Sequence, residues 1–230
     1  MSNYPEVLYQ DNHIIAVNKL PGHIVQGDKT GDKPLSEWVK LYIKETAHKP
    51  GEVFLGTVHR LDRPVSGVVL FAKTSKALTR LNELFKNREI KKTYWAVVKN
   101  KPPQESGTLE HYLIKNEAKN KSKAYVNQIK NSLYCKLDYK IIAESNHYYL
   151  LEINPHTGRH HQIRVQLSAM ACPIKGDLKY GAARNNENGS LHLHARKIEF
   201  IHPIKKENIT IIAKPPKDIL WDIFLKQLNQ

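Results

Sequence analysis

From Ala124 to Ile153 the chain offers strand after strand with no helix between them. Segments of β-branched, aromatic and alternating apolar residues run over Ala124–Ile129, Cys135–Ala143 and His147–Ile153, and their connections are short. Short connections join antiparallel neighbours, because a parallel pair needs a long crossover. Upstream, Val7–Lys19 reads as two strands around a turn at Gln10-Asp11-Asn12, and Gly67–Ala72 as a buried strand. Lys91–Val98 is a further strand, in which Tyr94 shares a face with Ala96 and Val98. Helices are predicted over Pro34–Glu45, after a cap at Ser75, after a cap at Thr157, and over Asp218–Gln227. Strands outnumber helices and do not alternate with them. The pattern predicts an α+β fold: a mixed, largely antiparallel sheet flanked by helices and loops. The polar run Asn116–Lys123 has little to bury and predicts a loop or hairpin tip. No repeat or dividing linker is visible, so residues 1–230 are expected to form a single domain.

The net charge is +14. A field of that sign attracts phosphate backbones, though a merely soluble basic protein would show it too. The two cysteines, Cys135 and Cys172, match no zinc or redox spacing and suit a reducing compartment. The first residues lack the apolar core of a signal peptide, and no apolar run approaches a membrane span. A cytoplasmic protein with no membrane partner is expected.

Acids are scarce, which makes His59-Arg60-Leu61-Asp62-Arg63-Pro64-Val65-Ser66-Gly67 conspicuous. Asp62 lies between two arginines and ahead of a Pro-to-Gly turn. Flanking cations favour the ionised carboxylate and give a polyanion something to hold. Two other segments can complete a site: Tyr94, and the helix start Thr157–Arg164, where Arg164 shares a face with His160 and His161. A helix N-terminus led by Thr-Gly also suits a phosphate. Taken singly, each feature has an ordinary explanation. Arg60 and Arg63 suit a solvated surface, Asp62 a turn, and a strand tyrosine the core. His160-His161 with His192 and His194 invites a zinc reading, but no HExxH or cysteine-pair framework accompanies them, so no metal site is expected.

The segments resemble, in order, the motifs of the RluA-type pseudouridine synthase family. His59–Asp62 through Ser66-Gly67 is similar to the family's catalytic segment, Lys92–Ala96 to its tyrosine strand, and Thr157–Arg164 to its third motif. Pro173–Asp177 with Tyr180-Gly181, and Leu191–Ala195, resemble two further landmarks. The resemblance begins near residue 7 and runs to the C-terminal strand. Val65, His160 and Gln166 depart from the common pattern without touching the catalytic groups. The resemblance implies the pseudouridine synthase catalytic fold and a cofactor-independent isomerase that converts uridine in RNA to pseudouridine. Asp62 matches the catalytic aspartate, Tyr94 the tyrosine that stacks on the base, and Arg164 the basic residue paired with the aspartate. Arg60 resembles the arginine that helps displace the base, and His59, Arg63, Arg159 and His161 are expected to face the RNA. A monomer acting on ribosomal or transfer RNA is expected, ribosomal RNA being favoured. No N-terminal S4-type domain is expected, so RNA choice would fall to the catalytic domain, including the basic region 99–123. The rivals are a non-catalytic RNA-binding or chaperone protein on the same fold and, further off, a metal-dependent nuclease.

Overall fold

The run Ile14-Ile15-Ala16-Val17 has no polar face to offer solvent, and it lies within the fully buried strand β2 (Ile14–Lys19). β2 pairs antiparallel with β1 (Glu6–Gln10) across the expected turn. There the Asp11 carboxylate accepts the N–H groups of His13 (2.7 Å) and Ile14 (2.9 Å). The computed structural model describes residues 4–28, 30–48 and 50–228. After β1 and β2 the elements are α1 (Leu35–Thr46), β3 (Gly56–Thr57), β4 (Ser66–Ala72), α2 (Ser75–Lys86) and β5 (Lys91–Val98). There follow β6 (Ser106–Asn116), β7 (Lys121–Tyr125), β8 (Leu133–Glu144), β9 (Tyr149–Pro155), α3 (Gln162–Ala169), β10 (Leu193–Ile201), β11 (Asn208–Ile212) and α4 (Ile219–Leu228). A short 3-10 turn spans Leu178–Tyr180.

The chain divides into two compact units: one holds the chain up to Lys92 with Ala195–Pro215, the other Thr93–His194 with the chain from Pro216 onward. In the first unit the strand order is β1-β2-β4-β10, with β3 on β4 and β11 on β10. Its core sets Ile14, Val68 and Leu70 against Ala77 and Leu81 of α2 and Ile198 and Phe200 of β10. Gly67 has φ +118°, and a Cβ there would stand 2.3 Å from the Ala195 carbonyl oxygen. Only glycine lets the end of the Asp62 motif lie against β10.

In the second unit the order is β5-β9-β8-β6-β7, and each of the four pairings is antiparallel. One core cluster joins Trp95, Val97 and Leu150 to Trp221 and Phe224 of α4. Another sets Leu113 and Cys135 against Val165 of α3 and Tyr180.

Several boundaries differ from expectation. The cap of α2 is Thr74, whose side chain accepts the Ala77 N–H, and Ser75 is the first helical residue. Thr157 does not cap α3: its hydroxyl donates to Gln162 Oε1 (2.7 Å) and accepts from Lys136 N (3.0 Å). The cap position is His161, in the left-handed region at φ 55°. The region after Lys99 contains an eleven-residue strand, β6, paired in a hairpin with β7; the tip expected over Asn116–Lys123 is confined to 117–120, and Lys121–Lys123 belong to β7. The strand expected over Ala124–Ile129 instead ends at Tyr125.

Candidate active site

The loop that carries Asp62 lies between β3 and β4 and is held by its own backbone. Val65 N donates to Asp62 O (3.0 Å), closing a turn. Gly22 N donates to Arg63 O at 2.9 Å. Lys19, at the end of β2, is completely buried, and its ammonium donates to the carbonyls of Leu20 (3.0 Å), Arg63 (3.0 Å) and Val65 (2.7 Å). Burial drives the Lys19 pKa down to about 7, the Asp62 charge opposes the fall, and Arg63 adds to it. A charge this deep is tolerated because each N–H of the ammonium meets an oxygen.

The side chains of the motif divide their work. Arg60 is exposed. Arg63, expected to face RNA, is engaged by its own chain: Nη1 meets Asp32 at 2.5 Å, and Nη2 meets Thr30 Oγ1 at 2.8 Å and Asp28 at 3.6 Å. With two carboxylates beside it, Arg63 offers a phosphate little net charge. His59 too is engaged within its own chain. Its Nε2 accepts the Leu70 N–H (2.9 Å), its ring stacks obliquely on Phe85, and burial, helped by the Lys92 charge, lowers its pKa to about 3. It is a neutral acceptor anchoring β4.

The second unit holds Tyr94, Arg159, His161 and Arg164. Tyr94 is half-buried on β5, opposite Ile153 of β9. The neighbouring Thr93 hydroxyl donates to Asn154 Oδ1 (3.1 Å), which fixes that end of the strand. Arg164, on α3, is buried and grips Asp177 with two bonds, Nε to Oδ2 at 2.7 Å and Nη2 to Oδ1 at 2.8 Å. Such a fork fixes the guanidinium plane as well as neutralising it. Tyr180 supports the pair from one side, its ring centroid 5.1 Å from the guanidinium carbon. The Tyr180 hydroxyl meets His161 Nδ1 (2.9 Å) and accepts the Ser122 N–H (2.8 Å). His160 stacks on His161 with ring centroids 3.8 Å apart and reaches Ser122 Oγ and Asn120 Oδ1. Arg159 Nε donates to Tyr134 O (3.2 Å). The histidines thus serve hydrogen bonds, and among the described residues no group of three or more His, Cys, Asp or Glu side chains is arranged for a metal.

Lys19, Asp177 and Tyr180 were not singled out as site residues from the sequence. Asp177 and Tyr180 do fall in the Pro173–Gly181 landmark, where an acid in an acid-poor chain was the available signal.

A family model described as RNA pseudouridylate synthase matches residues 13–169. This chain belongs to the RNA pseudouridylate synthase family. As a member it is an isomerase acting on RNA. A tRNA pseudouridine synthase C of Vibrio parahaemolyticus is 30% identical over 94% of this chain and 92% of its own length. The enzyme of that name from Pectobacterium carotovorum is 31% identical over 94% of this chain, which spans 59% of that longer protein. A ribosomal large subunit pseudouridine synthase C of Buchnera aphidicola is 33% identical over 96% of this chain and 70% of its own length. The pseudouridine synthase fold is shared with the solved structure of human RNA pseudouridylate synthase domain containing 4, at a TM-score of 0.79 and 24% identity over 95% of this chain and 92% of that one.

Proposed function

We propose that this synthase isomerises a uridine of transfer or ribosomal RNA, with Asp62 as the catalytic carboxylate, Tyr94 against the base and Arg164 as the basic residue of the catalytic set. The names of its relatives, which include both transfer and ribosomal RNA enzymes, support those substrate classes. The observation that carries the role of Asp62 is its mounting. A buried ammonium on the Arg63 and Val65 carbonyls and a turn closed by Val65 hold the loop backbone. A group that must meet one atom of a flipped nucleotide needs such a rigid mount.

The reaction breaks N1–C1′, turns the uracil, forms C5–C1′, and moves a proton from C5 to solvent while N1 gains one. Atoms balance with no electron acceptor. An ionised carboxylate can act at C1′ as nucleophile, stabilise positive charge on the ribose, or take a proton at C2′. Tyr94 stacks on the detached base near C5. The exposed Arg60 and the half-buried Arg159 supply phosphate contacts that offset the few kcal/mol, on the order of the usual flipping cost, needed to extrude a base.

The test is Asp62→Asn with RNA labelled with tritium at uridine C5. Tritium release should fall by about a thousandfold or more while RNA affinity stays near that of the wild type. Product formed by the variant at the wild-type rate would sink the role given to Asp62.

A further inference from the structure

The outward face of β7, β6 and β8 carries a row of tyrosines that neither the core nor the catalytic motifs use. Tyr112 of β6 stands opposite Tyr125 of β7 and opposite Tyr134 of β8. Residues directly opposite one another in neighbouring strands share a face. Three tyrosines therefore lie on one face across three strands. The inward face is filled separately, by Leu113, Cys135 and Ala124 against Val165 and Tyr180.

The row is half-buried at Tyr112 and Tyr125, exposed at Tyr134, and lies among cations. Tyr134 is 38% exposed, and Tyr112 meets it edge to face at 5.7 Å. Lys123 Nζ sits 5.0 Å from the centre of the Tyr125 ring, and its own position is exposed. Lys136 and Lys140 follow on the same face of β8. The acids of this face are already matched. Glu110 holds Lys136 at 3.0 Å and bonds the Tyr134 side chain, while Asp138 bonds Thr108 and His156, each at 2.6 Å. Arg159, one of the expected RNA contacts, donates to the Tyr134 carbonyl.

Aromatic rings in a row on a sheet, with lysines beside them, are what unpaired bases stack on. The net charge of +14 favours a polyanion over a cationic or neutral partner. We propose that the Tyr112–Tyr125–Tyr134 row is a second RNA contact, a platform on which unpaired bases other than the target uridine stack while Lys123 meets the backbone. The proposal rests on RNA being the substrate, and it adds where the enzyme gains affinity beyond the reacting nucleotide.

Cross-strand aromatic pairs also stabilise sheets, so the experiment separates the two roles. The protein is assayed with unmodified transfer RNA and large-subunit ribosomal RNA transcripts. For Y112L/Y125L, Kd should rise about tenfold or more, while turnover at saturating RNA is unchanged. Y112F/Y125F, which keeps both rings, should bind like the wild type. K123Q should lower the slope of log Kd against log salt by about 1. Transcripts carrying 5-iodouridine should crosslink the wild-type protein at one or more of the three tyrosines. A folded Y112L/Y125L that binds as the wild type overturns the proposal. So does a crosslink map that misses all three rings, which decides the matter if the leucine variant fails to fold. A wild type that binds and crosslinks but forms no pseudouridine would instead refute the catalytic assignment.

Discussion

Lys19 sets three N–H groups against three carbonyls only while it is protonated; the neutral amine has two. Its pKa near 7 places the change within the working range. Above that pH one of the three carbonyls, two of which belong to the loop beside Asp62, loses its donor, so kcat at saturating RNA should fall along a limb near pH 7 in the wild type. Lys19→Met should turn over slowly and lack that limb. A methionine variant that keeps the wild-type profile would remove Lys19 from the account. Stability has its own sign. The folded pKa lies below the unfolded value near 10.5, so between about 7 and 10.5 the unfolded chain holds more protons. This residue's contribution to stability is therefore least favourable below pH 7 and improves as pH rises towards 10.5. Urea unfolding of the wild type against Lys19→Met reads that difference. None of this shows in the sequence, where Lys19 is one lysine among many; its burial depends on the loop more than forty residues away.

At the scale of elements, α3 is placed less by a cap than by a web. Thr157, Gln162 and Lys136 bond one another at its start, Tyr180 ties His161 to Ser122 of β7, and Asp177 grips Arg164. Asp177→Asn keeps the shape and removes the charge. A buried pair broken on one side costs about 3–5 kcal/mol, so thermal unfolding should move down clearly. The guanidinium would lose its aim, and kcat at saturating RNA should fall at least tenfold, on the order of one positioning contact, with RNA affinity little changed. An Asp177→Asn enzyme with wild-type kcat would show that Arg164 does not depend on this fork. The hairpin β6–β7 shows why one strand was harder to read than others. Leu109, His111 and Leu113 alternate inward, but the outward partners Thr108, Glu110 and Tyr112 make the run polar, and pairing with β8 rather than composition makes it a strand. By contrast β2 and β4 were plain, since continuous apolar runs have few other places to go.

Across the whole molecule, burial is the leading cause that lowers the pKa of His23, His59, His111, His192 and His202. In each case the native state resists protonation, and the unfolded chain takes up protons first, near pH 6.5. The stabilisation is complete above about 6.5 and is lost as pH falls; for His59 the loss runs down to about 3. Denaturant midpoints should therefore decline from pH 6.5 downward, before most carboxylates titrate. His59→Gln should start less stable and show a shallower decline between pH 6 and about 4, a range set by the same linkage. An unchanged slope would mean that His59 is not the neutral acceptor of the Leu70 N–H. Among the described residues no helix is long and apolar enough to cross a membrane.

The sequence by itself determined the class of fold, the order of the motifs and the family, because apolar periodicity, turn residues and motif spacing are local properties of a chain. It also marked Asp62 as the acid to explain. The tertiary structure alone decided what several of the ionisable side chains do. Arg63 turns to Asp28 and Asp32, His59 stays neutral under β4, Arg164 meets Asp177, and Lys19 is sealed beneath the loop. Burial and ion pairing are relations between residues that folding brings together, and solvation and charge follow from those relations rather than from residue type.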